Sequence, residues 1–178
     1  MLLAQTTGYI KLQRVGGKMI IAVDFDGTCV THEFPRIGKN IGAAPVLRCL
    51  AENGHNIILL TMRSHLDDTT KHAHNTLKGD TINKDTLQEA IDWFAENNIP
   101  LYGVNNNPDQ KRWTSSPKVY AHIYVDDAAL GVPLVVCGEP RPYLDWVRIL
   151  PMLLEMKLIT LEQFAALNEE VQKERESM

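Results

Sequence analysis

Four aspartates follow apolar runs at two widely separated places in the chain. Asp24 and Asp26 come directly after the apolar residues 19–23, and Asp126 and Asp127 come directly after residues 122–125. Two like charges about 4 Å apart repel by roughly 4 kcal/mol at an effective dielectric near 20. If the two segments meet, a hard divalent cation is the natural partner, because Mg²⁺ binds carboxylate oxygens together with a substrate phosphate. A carboxylate in such a site can also attack phosphorus and form an aspartyl-phosphate.

Other residues of suitable type could complete phosphoryl-transfer chemistry. Asp26 lies two positions after Asp24, on the same side of an extended segment, and could exchange a proton with the leaving oxygen and with water. Thr61 ends another apolar run, where its hydroxyl and backbone N–H suit a phosphate oxygen, although a turn or helix cap explains it equally well. Lys118 or Lys111 could neutralise the phosphoryl group.

Three further residues are candidates for contact with the substrate. Arg63 follows Thr61 by two positions and could bind phosphate or a second anionic group, or form a surface ion pair. Arg36 lies in residues 31–38, which form either a flap over the site or a packed loop. Asn105 lies in an asparagine-rich loop that either contacts substrate or makes a turn. The polar insertion at 64–83 contains histidines and aspartates, and we expect a mobile or helical lid there rather than a metal site.

The elements that must position these residues alternate along the chain. The hydrophobic pattern predicts strands at 19–23, 56–60, 101–104, 122–125 and 134–137, and helices at 43–53, 84–98, 141–156 and 160–174. This order predicts an α/β fold, with a mainly parallel sheet and helices on both faces. The segment between Thr28 and Ala43 is too short for a large cap domain. Ligands of such sheets bind at the carboxyl ends of the strands, so the candidate residues should meet at one edge.

Length and composition limit the remaining possibilities. The 178 residues suit one domain, which we place at 19–178, with residues 1–18 as a leader or peripheral arm and C-terminal helices within 141–178. The net charge of −4 gives no reason to expect a protein that holds nucleic acid by bulk charge. There is no Cys-x-x-Cys pair and no apolar run of membrane-spanning length, so we expect no membrane partner and a reducing, cytoplasmic setting. The C-terminal helices could pack on the core or form a dimer contact, which leaves a homo-oligomer open.

The segment Asp24-Phe25-Asp26-Gly27-Thr28 resembles the first motif of the haloacid dehalogenase-like superfamily, Asp-x-Asp-x-Thr after an apolar strand. The sequence Leu59-Leu60-Thr61 is similar to its second motif. The third motif is a Lys, and the sequence Ile123-Tyr124-Val125-Asp126-Asp127 is similar to its fourth motif. The short spacing between Lys118 and the acidic pair is similar to that of small nucleotidase-like members without a cap.

This resemblance implies a Rossmann-like fold with Asp24 as the nucleophile and Asp26 as the general acid and base. It also implies that Thr61 and a lysine, for which we prefer Lys118, hold the phosphoryl group. It implies Mg²⁺ on Asp24, on the backbone carbonyl of Asp26 and on Asp126, with Asp127 as a further ligand or an outer neighbour.

The expected function is therefore a Mg²⁺-dependent phosphatase for a phosphomonoester, such as a nucleotide or another small metabolite. Haloacid dehalogenases lack the second aspartate, so Asp26 argues against them. Two alternatives remain open at this point. One is a phosphatase acting on nucleic-acid ends or a phosphoprotein, with nucleic acid only as substrate. The other is a non-catalytic phosphate-binding protein or a receiver-like protein, although receivers place an acidic pair before the phosphorylated aspartate.

Overall fold

A computed structural model describes residues 17–65, 84–136 and 138–177, together with the backbone of 76–77 and 80–81. Most of its elements lie close to the predicted ones, but residues 143–144, which we placed in a helix at 141–156, form a strand, and so do 76–77 and 80–81 in the insertion, where no strand was predicted. In chain order they are β1 (Ile20–Val23), α1 (Ala43–Glu52), β2 (Asn56–Leu59), β3 (Thr76–Leu77), β4 (Asp80–Thr81), α2 (Thr86–Glu96), β5 (Leu101–Val104), β6 (Ile123–Val125), β7 (Leu134–Val135), β8 (Tyr143–Leu144), α3 (Trp146–Glu155) and α4 (Leu161–Glu176).

Four parallel strands form the central sheet in the order β5-β2-β1-β6. Strand β1 lies between β2 and β6, and its last residue, Val23, is in register with Leu59 and with Val125. The three strands therefore end at the same level of the sheet. Because the strands are parallel, the residues that follow them emerge at one edge, as the sequence predicted. The α/β fold with a parallel sheet and no large cap is confirmed.

The helices pack on one face of this sheet. Helix α1 connects β1 to β2, and helix α2 connects β2 to β5. Both connections run in the same direction across the sheet, so right-handed crossovers place both helices on the same face. Helices α3 and α4 contribute buried side chains to the same core, which contains Ile21, Val23, Ile57 and Leu59 of the sheet.

The opposite face of the sheet has a different cover. There, Ala22 and Ile58 pack with Ala121 and the partly buried Val119. The connection from β5 to β6 carries only a short 3₁₀ turn, Gln110–Arg112. In the part of the chain that the structure describes, this differs from our expectation of helices on both faces. The reason is topological, since this connection is the crossover that would have carried a helix to the second face.

The predicted fifth strand lies outside the central sheet. Strand β7 is shorter than predicted and pairs antiparallel with β8, and Cys137 lies outside the described residues. The β8–α3 region contacts the loop after β1, because the N–H of Leu144 donates to the carbonyl of Gly27 at 2.7 Å and the indole N–H of Trp146 donates to the carbonyl of Thr28 at 2.8 Å. This small sheet therefore supports the loop that carries the candidate nucleophile.

Some predictions fall on segments of which the structure describes little or nothing. Residues 1–16 lie outside the described residues, and so does most of the 64–83 insertion, where the antiparallel pair β3–β4 is described. The C-terminal helices pack on the core through residues that include Leu167 and Val171. No helix among the described residues has both the length and the apolar character needed to cross a membrane.

Candidate active site

Three of the four predicted aspartates come together at the carboxyl edge of the sheet. Carboxylate oxygens of Asp24, Asp126 and Asp127 all lie within 4.8 Å of one another. The backbone holds the two segments side by side, because the N–H of Asp24 donates to the carbonyl of Val125 at 2.9 Å and so continues the β1–β6 pairing. The register of two parallel strands is thus sufficient to bring these carboxylates into one cluster.

Asp24 is costly to ionise without a cation. Burial, together with the charges of Asp126, Asp127 and Asp26, raises the pKa of Asp24 from 3.8 to about 7, while a hydrogen bond from the backbone of Phe25 opposes the change. The donor set consists of hard carboxylate oxygens, which suit Mg²⁺. A divalent cation would offset both the repulsion and the cost of burial. The three carboxylates therefore fit the metal that the motifs imply.

Thr28 connects the two acidic segments. Its side chain is fully buried, and its hydroxyl oxygen accepts a hydrogen bond from the backbone N–H of Asp127 at 3.0 Å. The same hydroxyl donates to Oδ2 of Asp24 at a longer 3.4 Å. Thr28 therefore aligns the nucleophile candidate with the second acidic segment.

Gly27 leaves room for a histidine beside the cluster. Its φ of 86° is in the left-handed region, and a Cβ at this position would lie 2.1 Å from Nε2 of His32 and 2.8 Å from Oδ2 of Asp127. Nε2 of His32 lies 3.0 Å from that same Asp127 oxygen. No local pattern indicates this contact with Asp127, because the two residues are 95 positions apart.

Asp26 lies apart from the three-carboxylate cluster and is paired with Arg63. Nε of Arg63 donates to Oδ2 of Asp26 at 2.8 Å, and Nη2 donates to Oδ1 at 2.7 Å. Arg63 is only 2% exposed. The sequence left two roles open for Arg63, an anion contact and a surface ion pair, and the structure shows an ion pair with Asp26 that is buried rather than at the surface. The sequence could not indicate this pairing, since spacing does not show which way either side chain points.

Thr61 and Asn105 lie next to each other, at the ends of β2 and β5. The backbone N–H of Thr61 donates to Oδ1 of Asn105 at 2.8 Å, so the N–H that we assigned to phosphate already has a partner. The Thr61 hydroxyl accepts from the N–H of Arg63 at 3.2 Å and keeps its own proton for another acceptor. Asn105 has a φ of 51°, a left-handed conformation that asparagine tolerates, and its own N–H donates to Leu59.

The two candidate lysines lie in different surroundings. The Lys118 ammonium lies over the ring of Tyr124, 5.8 Å from its centroid. Lys111 lines a cavity of about 420 Å³ that is formed by the loop between β5 and β6. Asn105, the partner of Thr61, lines the same cavity. Asn105 therefore links Thr61 to the cavity that Lys111 lines, while the preference for Lys118 over Lys111 as the phosphate-binding lysine stays a prediction.

The remaining predicted contacts lie farther from the carboxylates. The Arg36 side chain is 78% exposed and lies 3.7 Å from Glu33, while its backbone carbonyl accepts from Arg63. In the insertion, His65 pairs with Asp85 at 2.9 Å. The other histidines and aspartates of the insertion have side chains outside the described part of the structure, so the expectation of a lid there rather than a metal site stays a prediction.

Comparisons with known proteins support the fold and say nothing of activity. No protein-family model matches the chain, and no curated protein matches it. Among solved structures, the chain is similar to a conserved protein of Bacteroides thetaiotaomicron, with 28% identity and a TM-score of 0.53. The match covers 83% of this chain and 97% of that one. The similarity therefore extends over nearly the whole of the related chain.

Proposed function

We propose that this protein is a Mg²⁺-dependent phosphatase that hydrolyses a phosphomonoester through an aspartyl-phosphate, as in the haloacid dehalogenase-like superfamily that its motifs resemble. The observation that supports this best is the cluster of Asp24, Asp126 and Asp127, at the edge where parallel α/β sheets bind ligands. Buried carboxylates that repel one another are costly to a protein unless a ligand uses them. The free thiols Cys29 and Cys49 agree with a cytoplasmic setting.

In this proposal Asp24, Asp126 and Asp127 hold the metal. When bound, Mg²⁺ supplies positive charge that offsets these carboxylates and the charge of the transferring phosphoryl group. Asp24 must be ionised in order to attack. The nearby positive charge favours that form, in a site where burial and neighbouring carboxylates hold the pKa of Asp24 at about 7.

The chemistry itself takes two steps. In the first, with Asp26 in its protonated form, a carboxylate oxygen of Asp24 bonds to phosphorus, the ester P–O bond breaks, and the leaving oxygen takes the proton of Asp26. In the second, Asp26 removes a proton from water, the resulting oxygen bonds to phosphorus, and the P–O bond to Asp24 breaks. Inorganic phosphate leaves and both aspartates return to their starting forms.

Thr61 and Lys111 are the residues that we assign to the phosphoryl oxygens. Among the residues that the structure describes, none accepts the hydroxyl proton of Thr61, and Lys111 in the nearby cavity can supply a positive charge. The amide and hydroxyl side chains lining that cavity suit a small polar leaving group, such as a nucleoside or a sugar. They are Asn105, Asn106, Asn107, Gln110, Thr114, Ser115 and Ser116.

A second candidate substrate is a nucleic-acid end. Trp113 is 64% exposed and lies edge-on to Tyr120, with ring centroids 5.4 Å apart. The neighbours of Trp113 in sequence are Lys111 and Arg112, although Arg112 is paired with Asp109 at 3.1 Å. An exposed aromatic ring beside positive charge can stack a base. This surface is on the loop that also forms the cavity, so a longer nucleic-acid chain could extend over it.

The test is phosphate release from a panel of nucleotides, sugar phosphates and phosphorylated DNA and RNA ends, with Mg²⁺ and with EDTA. We expect release from at least one small ester with Mg²⁺ and a loss of at least about 100-fold in Asp24→Asn. Preference for nucleic-acid ends over every mononucleotide would favour the second candidate. Equal activity in Asp24→Asn would refute the nucleophile. A protein that takes up phosphate on Asp24 and keeps it, without releasing inorganic phosphate, would support a receiver-like function.

A further inference from the structure

Arg63 binds Asp26 in the geometry that best fixes a carboxylate. Two parallel hydrogen bonds of 2.7 and 2.8 Å join the guanidinium to the two oxygens of Asp26. A bidentate pair of this kind sets the plane of the carboxylate as well as its position. The Asp26 side chain remains 18% exposed, so the held group still reaches the surface of the site.

The guanidinium is itself held by two other segments, residues 34–36 and the start of α2. Nη1 donates to the carbonyls of Pro35 and Thr86 at 3.2 and 3.5 Å, and Nη2 donates to the carbonyl of Arg36 at 2.8 Å. The central carbon of the guanidinium, Cζ, lies 4.9 Å from the ring centroid of Phe25 and 5.3 Å from that of Phe34. A guanidinium group has five N–H donors, and the two hydrogen bonds to Asp26 and the three to backbone carbonyls use all five. Arg63 therefore has no donor left for a phosphate oxygen.

We propose that Arg63 is a positioning residue, which holds the Asp26 carboxylate in the orientation in which it exchanges a proton with the leaving oxygen. This inference rests on the proposed function. Proton transfer requires the two heavy atoms to be within hydrogen-bond reach, and a displacement of about 1 Å can cost about 100-fold in rate. Residues 35 and 36 and the start of α2 supply the carbonyls, so they fix Asp26 through Arg63.

Lysine cannot replace this arrangement, although it keeps the charge. Its ammonium group has three donors on a flexible stem and cannot form the planar pair with Asp26. Arg63→Lys should therefore remain folded while its Asp26 carboxylate loses the fixed orientation. Asp26→Glu is a second variant, because it keeps the ion pair and moves the carboxylate by one methylene.

The experiment compares two aryl phosphates with different demands for a proton. Nitrophenolate leaves readily without one, whereas phenolate leaves slowly unless it is protonated. Wild type, Arg63→Lys, Asp26→Glu, Asp26→Asn and the double variant Arg63→Lys/Asp26→Asn are measured with both esters and Mg²⁺, and thermal unfolding checks that each is folded. We expect Arg63→Lys to lower kcat for phenyl phosphate roughly 10- to 100-fold more than for nitrophenyl phosphate, with KM unchanged. The double variant should be no slower than Asp26→Asn alone.

Other results would overturn the inference. A raised KM for both esters at constant kcat would show that Arg63 binds phosphate directly. Equal losses with both esters that add to those of Asp26→Asn would show a structural role alone. Both results require an active wild type and leave the phosphatase proposal intact. If wild type released phosphate from neither aryl ester nor any other ester, the proposed function would be refuted and the catalytic role of Arg63 with it.

Discussion

Replacing Asp24 by asparagine should stabilise the metal-free protein, although it removes the nucleophile. The pKa of Asp24 is raised from 3.8 to about 7, first by burial and then by the charges of Asp126, Asp127 and Asp26. A change of one in a pKa corresponds to about 1.4 kcal/mol of free energy. Ionised Asp24 therefore costs the fold roughly 4 kcal/mol at pH values above about 8, where the group is charged in both the folded and the unfolded chain.

The sign of the pH dependence follows from proton binding. Between about pH 4 and pH 7 the folded chain keeps the proton of Asp24 while the unfolded chain has released it. The folded state then binds more protons, so the contribution of Asp24 to the free energy of unfolding falls as pH rises. Asparagine has no such proton. The advantage of Asp24→Asn over wild type should grow from about 1.5 kcal/mol at about pH 5 to roughly 4 kcal/mol at about pH 8.5.

Urea unfolding in EDTA at these two pH values measures the effect. Asp92→Asn is a matched control, because Asp92 is exposed on α2 and its replacement should change stability by no more than about 0.5 kcal/mol. Adding Mg²⁺ should stabilise wild type far more than Asp24→Asn. The electrostatic reasoning is refuted if, without metal at the higher pH, Asp24→Asn is less stable than wild type, or if its advantage does not increase with pH.

Three further predictions concern the residues around the carboxylates. Gly27→Ala should lose at least about 2 kcal/mol more stability than Gly54→Ala. Both glycines have a φ of 86°, but a Cβ would contact other atoms only at Gly27 of the two. Urea unfolding compares the two variants, and equal losses of stability would contradict this steric argument. Thr28→Val should cost about 1–3 kcal/mol and weaken Mg²⁺ binding, because a backbone N–H loses its partner, whereas Thr28→Ser should retain both; calorimetric Mg²⁺ titration distinguishes them. Lys111→Ala should raise KM for the phosphomonoester roughly tenfold, whereas Lys118→Ala should change it little; the reverse result would restore our first assignment.

The strands, in their order along the chain, could be predicted because each is encoded by the residues within it. Residues 19–23, 56–60 and 122–125 are apolar runs bounded by polar residues, and the structure places β1, β2 and β6 within them. The carboxyl ends of parallel strands lie at one edge, so the sequence predicted that Asp24 and the Asp126–Asp127 pair share that edge. That they are neighbours there depends on the pairing of β6 with β1, which only the structure shows.

Side-chain partners over long distances could not be predicted in this way. Arg63 pairs with Asp26 across 37 positions, and His32 meets Asp127 across 95. Each pairing depends on the direction in which a loop leaves its strand, which no pattern of residue types determines. The loop from β5 to β6 is a similar case, because it joins Asn105 to Thr61 and places Lys111, rather than Lys118, in the adjoining cavity.

The sequence by itself thus determined the parallel α/β core and the acidic edge. Both depend on the pattern of apolar and polar residues within short segments and on the order of those segments along the chain. Only the tertiary structure decided which charges of that edge face one another and which are neutralised by the protein. Burial is the physical reason, since a charge removed from water must take whichever partner the packed loops place beside it. For Asp26 that partner is Arg63, whereas Asp24, Asp126 and Asp127 lie together.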